Sequence, residues 1–582
     1  MVIQFLAVGV MILMATASAW AQDDQLDGQW LAPTLDALER FREDPLCLRC
    51  SPASTLTQIP GISSRTARHI VDACRSATIS SIEELSDTIC ASPEQFLMLT
   101  SCTTLQCTCF TLLRSLRVRA RTRSSPRLAT TARVDATYSH GIAGVSLQRI
   151  NEELIPSAWI TASFNTLDLY VGDFAFQSGT GLLLGMAQTL MRRGVDVLPA
   201  STPLLDARPW PSIAFDNTPR GAAAMWQSTT LPLSLGAITW IDRASPDMRP
   251  RSSIHVGSSL LGIDMHTTLI HDFNRPKSSA AMSVLLNYEH QHLHVVSEAR
   301  LRLDALEGWH AMVGYGDRRT DLVASIWLYA PSVNLEYGTS ALGSSQPVNQ
   351  RGFHIAGHHR FQSRISLAGS ITLVQRLTRT YIDPLPPNST TLRADVEARP
   401  ARSTFLRAQL MHRRSIESQA SDDGRVMDVH ASMRARIDCE HAMSSTTSIR
   451  ARIDLAYASA ERQSPQRATL IAFMCRTRIA SAITLSVQLA QWRSSSYDVA
   501  PRISTHSVPG TFDMLVCTGV GRAVHAQMRI ALPHGIGVSA HLRHEMRSAE
   551  ITTEWTIQAE WQLSRANQRT KRVSFVHEVL GD

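Results

Sequence analysis

The chain has 582 residues, 44% of them hydrophobic and 18% charged, a balance too apolar for disorder in a chain too long for one small core. Its formal charge is +7, and among its 57 basic residues only Lys277 and Lys571 are lysine. Beyond residue 20 no apolar run approaches the ~18 residues that a membrane-crossing helix needs, which excludes a polytopic helical membrane protein.

Residues 1–22 contain no charged side chain and run apolar from Val2 to Met14 before reaching small residues. Residues 1–21 therefore read as a secretory signal peptide, cleaved after Ala19 or Ala21. Export places the cysteines in a compartment where disulfides persist. Seven of the ten lie between Cys47 and Cys109. A zinc site would want paired C-x-x-C units, and only Cys47 and Cys50 have that spacing. Cys47, Cys50, Cys74, Cys90, Cys102, Cys107 and Cys109 are accordingly disulfide candidates, with one of the odd seven left over or paired elsewhere. No metal ligand set is assigned.

Residues 23–112 read as a small helical domain. Leu35, Leu38 and Phe41 fall at helical spacing before Pro45. Next comes Leu56-Thr57-Gln58-Ile59-Pro60-Gly61-Ile62-Ser63-Ser64-Arg65, where one helix would end at a Pro-Gly turn and another would start at a capping serine. Gly61 supplies backbone freedom, and the first free N–H groups of the second helix can hold an anion. These residues resemble the helix-hairpin-helix of the ComEA-like DNA-binding family. Pro45 to Ser51 stands where that family has a Pro-Ile-Asn-Ile-Asn-Thr-Ala run, and Ile79 to Leu85 is similar to its Phe-x-Ser-Leu-Glu-Glu-Leu continuation. The resemblance implies DNA contact through Pro60, Gly61, Ile62, Ser63 and Ser64, with Arg65 and Arg68 assisting. Charge argues the other way: twelve acids and six arginines give residues 23–110 a net −6, whereas phosphate neutralisation dominates non-specific affinity. A packing or protein-docking role for the hairpin stands beside the DNA reading.

Residues 113–133 switch character. Arg114, Arg117, Arg119, Arg121, Arg123, Arg127 and Arg133 occur with no acid among them, as a basic linker or a first strand. From residue 134 to 582 period-two alternation dominates. Leu392, Ala394 and Val396 interleave with Arg393, Asp395 and Glu397; Ile449, Ala451, Ile453 and Leu455 interleave with Arg450, Arg452 and Asp454. Such stretches are strands with one apolar and one charged face. They persist for about nine to twelve residues, near the ~9 to 11 of a tilted transmembrane strand. A closed outer-membrane barrel, apolar towards lipid and charged towards the lumen, fits that length and pattern, with roughly 16 to 22 strands.

The second part also resembles a family, the exported proteins that join this hairpin unit to a large outer-membrane barrel. The matching runs are Val171-Gly172-Asp173-Phe174, Gly179-Thr180-Gly181-Leu182-Leu183-Leu184, Arg220-Gly221-Ala222-Ala223-Ala224, Leu328-Tyr329-Ala330-Pro331 and Asn349-Gln350-Arg351-Gly352-Phe353.

No H-E-x-x-H, G-x-S-x-G or phosphate-binding loop occurs. Gly179-x-Gly181-x-x-x-Gly185 lacks a surrounding βαβ pattern and reads as a strand turn, and His290, His292 and His294 read as rim or lumen residues beside a hairpin turn. The expected fold class is α+β multidomain: a small all-α helix-hairpin-helix domain followed by the transmembrane barrel. The expected function is non-enzymatic, an outer-membrane barrel whose periplasmic hairpin binds DNA without sequence specificity. The alternative is a structural or transport barrel whose N-terminal module is a plug or docking domain. Expected partners are DNA, outer-membrane lipid and periplasmic proteins, with no cofactor, catalytic residue or small-molecule substrate assigned.

Overall fold

The computed structural model describes scattered residues between 45 and 105 and most of residues 113–564, apart from connections of which 186–205 and 332–348 are the longest. Period-two alternation closes here into a cylinder. From Leu113–Ser124 to Glu550–Ser564 the chain forms a closed barrel of 24 strands, each paired antiparallel with the wall strand before and after it. The seam joins first to last, with Arg119 opposite Glu560 and Arg121 opposite Gln558. Two wall pairings bridge long excursions: Leu167–Ser178 with Pro219–Gln227, and Ile483–Ser494 with Val520–Leu532.

Burial is inverted relative to a water-soluble protein. On Thr447–Ala460, Ile453 and Leu455 are 44% and 51% exposed while Arg452 and Asp454 are 8% and 0% exposed. The same parity holds around the wall, with Val171, Ile254, Leu322, Ile437, Ile471 and Ile557 outward and exposed. An apolar outer band on a closed sheet leaves no backbone group unpaired in lipid. The chain is thus an outer-membrane β-barrel. No helix among the described residues is long and apolar enough to cross a membrane.

The connections sort by rim. Turns at 139–140, 261–262, 291–292 and 481–482 lie at one end, with the start of the first strand and the end of the last; the long connections, 179–218, 330–349 and 495–519 among them, lie at the other. Short turns mark the periplasmic rim of such barrels, and long loops the external rim.

Three expectations are corrected. The wall has 24 strands, more than the expected 16 to 22, because the short rim spends so few residues between strands. The α+β class gives way to a nearly all-β structure, with no small all-α domain seen among the described residues. Among the described N-terminal residues a parallel pairing of Leu46–Cys47 with Thr103–Thr104 lies beside an apolar cluster of Leu48, Leu56, Ile59, Ile70, Leu85 and Leu99, and scattered residues are helical, among them Ile70, Val71, Ile82, Leu85 and Leu99. Ser81 caps one of these helical stretches: its hydroxyl accepts from Glu84 N at 3.1 Å and its carbonyl from Leu85 N at 3.1 Å. Third, the disulfide candidates do not all pair. Cys74 and Cys102 are buried thiols, and Cys47 is half of a bridge whose other half lies, with Cys50, Cys90, Cys107 and Cys109, outside the described residues.

Candidate functional site: the barrel lumen

Two segments leave the wall from the external rim and turn inward. The first begins within a single strand. Leu167–Ser178 pairs with Pro219–Gln227 as far as Asp173, then changes partner to Asp206–Pro209 and Leu184–Gly185. The change falls beside Gly172, at φ +108°, where a Cβ would lie 2.1 Å from Ala158 O; only glycine fits. Asp173, fully buried, accepts from Arg220 Nε at 2.8 Å, Arg220 Nη2 at 2.9 Å and Ala158 N at 3.0 Å. This two-pronged pairing fixes orientation as well as charge.

Beyond that hinge the segment crosses the lumen face of successive strands. Phe174 and Phe176 pack on Ile238, Trp240 and Ile270, with the Phe176 and Trp240 ring centroids 5.0 Å apart. Ser178 Oγ lies 2.7 Å from Thr268 Oγ1, which lies 3.0 Å from His255 Nδ1, whose Nε2 lies 2.8 Å from Ser253 Oγ. Gly179, at φ +59°, turns over Glu298, and Leu182 packs on Trp327 and Tyr329. Trp327 in turn needs Gly352 on the next strand, where a Cβ would stand 2.0 Å from the indole ring. Asn349 ties the strand start, accepting from Thr378 N at 3.0 Å and donating to Thr378 O at 3.1 Å. The five barrel runs singled out in the sequence thus meet in one structure, the inward segment and its bed.

The second segment is the connection 495–519. Its hairpin, Arg502–Thr505 with Asp513–Val516, lies on the opposite side of the sequence. Ile503, Leu515 and Cys517 pack on Leu470, Ala472, Ala490, Trp492 and Ala523. Trp492 Nε1 donates to Thr518 O at 3.0 Å, Arg434 Nη2 to Ala500 O at 2.9 Å and Arg452 Nη2 to Arg502 O at 2.6 Å. Burial pushes the Cys517 thiol up to about 12.

The lumen wall carries one charge motif repeatedly: a carboxylate held between two arginines. Asp454 lies 2.8 Å from Arg436 and 2.5 Å from Arg452, Glu545 2.8 Å from Arg543 and 3.1 Å from Arg547, and Glu307 2.9 Å from Arg300 and 3.4 Å from Arg302. Asp395 sits likewise with Arg393 and Arg407, Glu554 with Arg123 and Arg543, and Glu560 with Arg117 and Arg119. Desolvating a lone carboxylate costs several kcal/mol, so the pairing is what allows these charges inside.

Barrels of 16 to 18 strands already leave an aqueous channel. In this larger one, lumen-facing residues from well-separated strands are shut off from solvent: His255 and Asp454 are 0% exposed, His525 and Gln558 1%.

The hairpin residues expected to touch DNA, Pro60, Gly61, Ile62, Ser63, Ser64, Arg65 and Arg68, all lie outside the described residues. The histidines at 290–294 do not converge: His294 Nε2 pairs with Asn287 Oδ1 at 2.7 Å, His292 Nδ1 lies 2.9 Å from Gly316 O, and His290 stacks on Tyr288. No group of three metal-binding side chains forms among the described residues. The inward segments were not foreseen. Their signal was a break in alternation, at Gly172-Asp173 and again through Pro501 and Pro509.

No protein-family model matches the sequence, and no curated protein matches it. Among solved structures, the chain is similar to a copper transporter, OprC, at TM-score 0.43 and 7% identity, covering 78% of this chain and 81% of that one. It is similar to the FrpB iron transporter of Neisseria meningitidis at TM-score 0.38 and 6% identity, covering 78% and 81%. Against Pseudomonas aeruginosa OccK11 the TM-score is 0.30 at 8% identity, covering 78% and 95%. None of these likenesses is near enough to bring a cargo with it.

Proposed function

We propose that this outer-membrane barrel transports solutes along a lumen that is closed at rest by inward-folded protein, with the N-terminal unit serving as a plug or docking module. The observation that carries the reading is the solvent exclusion of His255, Asp454 and His525 in a barrel of 24 strands. A purely structural barrel has no use for a broad lumen whose filling rests on a glycine kink, a two-pronged ion pair and a chain of hydroxyls. The unit around Leu48 and Leu85 enters the wall at Leu113 on the short-turn rim, the side from which a periplasmic partner would reach it. The DNA reading rests on residues outside the described ones and is not carried forward.

The test is efflux from proteoliposomes. Full-length protein is compared with Phe176→Asp/Leu182→Asp, which sets carboxylates into the apolar bed of the first segment and expels it. Folding is checked by heat-modifiable gel mobility. The expected result is slow efflux for the parent and at least tenfold faster efflux for the folded variant. Free efflux through the parent, or none through the folded variant, overturns the reading.

A further inference from the structure

Along the six wall strands from Thr447–Ala460 to Glu550–Ser564, the outward parity carries no carboxylate among the described residues. It does carry three arginines, all exposed: Arg467 on Gln463–Ala480, Arg493 on Ile483–Ser494 and Arg522 on Val520–Leu532. Each lies near the end of its strand at the external rim, where the connection 495–519 leaves the wall.

Strand register brings the three together. Arg493 stands opposite Thr469 on one side and Val520 on the other, and Arg522 stands opposite Gln491. Arg467 is two residues from Thr469 and Arg522 two from Val520, so Arg493 is the diagonal neighbour of both, at about 7 to 8 Å across each strand pair. Thr469 and Gln491 lie exposed on the same face between them. The Arg467 guanidinium carbon is 6.0 Å from the centroid of the Tyr457 ring, a contact that steadies a cation without neutralising it. Arg493 and Arg522 have no hydrogen bond or ion pair among the described residues, whereas the lumen arginines Arg436, Arg452 and Arg543 are each held by a carboxylate.

Towards the short-turn rim the same face turns apolar: Ile471, Leu489 and Val524 are 63%, 47% and 41% exposed. The arginines therefore cap the lipid-facing band. The cost of an outward arginine falls from the bilayer midplane to the interface, so this height is that of the headgroups. Positive charge without a counter-charge from the protein attracts an anion there, and a guanidinium fork matches phosphate oxygens. A free anion would leave the apolar residues directly beneath without a role, whereas a lipid uses both.

We propose that Arg467, Arg493 and Arg522 bind the phosphate-bearing headgroup of a lipid in the external leaflet, whose acyl chains lie over Ile471, Leu489 and Val524. Thr469 and Gln491 supply neutral hydrogen bonds to the same headgroup.

The test is native mass spectrometry of full-length protein in detergent with added diphosphorylated lipid A, the same glycolipid stripped of its phosphates, and inorganic phosphate. The parent should retain the phosphorylated lipid at least tenfold more than the stripped one, and inorganic phosphate in excess should not displace it. Arg493→Gln/Arg522→Gln removes no hydrogen bond or ion pair among the described residues. It should lower retention at least fivefold while keeping the folded band in the heat-modifiable gel. Arg414→Gln alters an exposed outward arginine whose cross-strand neighbours are Thr390 and Ala431, and should leave retention at the parent's level. Equal retention of the two lipids, full retention in the folded double variant, or the same loss in Arg414→Gln overturns the site. Displacement by inorganic phosphate overturns the lipid assignment.

Discussion

The two inward segments solve one problem by different means. The first leaves the wall inside a strand, so its direction is set by backbone: Gly172 at φ +108°, then the Asp173 carboxylate gripped by Arg220. The second leaves through an ordinary connection, so its position is set by side chains, an apolar patch of Ile503, Leu515 and Cys517 and two arginines reaching backbone carbonyls. Backbone-directed segments fail at single positions, whereas side-chain-directed ones lose hold by degrees.

The largest effect should follow Gly172→Val. A side chain there meets Ala158 O and the backbone is held in a region that L-residues rarely adopt. The expected outcome is loss of the heat-modifiable folded band, and a normally assembled Gly172→Val barrel would break the contrast outright. Next is Leu515→Ala, which removes a fully buried side chain from the second segment; comparable core truncations cost about 2 to 5 kcal/mol. The barrel should still assemble while the segment loosens. Cys517, whose thiol burial holds at about 12, reports this directly: maleimide labelling near pH 8, read by peptide mass mapping, should be slow in the parent and markedly faster in Leu515→Ala.

Asp173→Ala should come third. It leaves Arg220 without its carboxylate and Ala158 N without its acceptor, at about 1 to 3 kcal/mol, discounted for an Arg220 side chain that is 39% exposed. Protease cutting between Gly179 and Asp206 should rise, with Cys517 labelling unchanged, because the two segments rest on separate arcs. Ser178→Ala, which removes one hydroxyl from the Ser178, Thr268 and His255 chain, should cost about 0.5 to 1.5 kcal/mol and raise that cutting only slightly.

The wall was legible because lipid and lumen impose opposite demands on successive residues. Ile453 beside Asp454 announces both period and orientation. The strand count was less legible: alternation marks the strands but not how short a turn can be. Gly172, Asp173, Leu182, Arg220, Tyr329 and Gly352 stood out as family-like runs, yet their meeting in the lumen depends on contacts between residues far apart in sequence, which a single chain cannot display. The second segment had even less to show, since its apolar residues follow no period and its anchors, Arg434 and Arg452, look like any other lumen arginine.

Single-channel recording in planar bilayers tests the closed-lumen account most directly, with full-length protein, Phe176→Asp/Leu182→Asp and Leu515→Asp compared at one salt concentration. The account predicts a nearly silent parent and stepwise conductance in each folded variant, biased towards anions by the arginine-lined wall. A parent that conducts steadily, as an open channel of this width would, contradicts it.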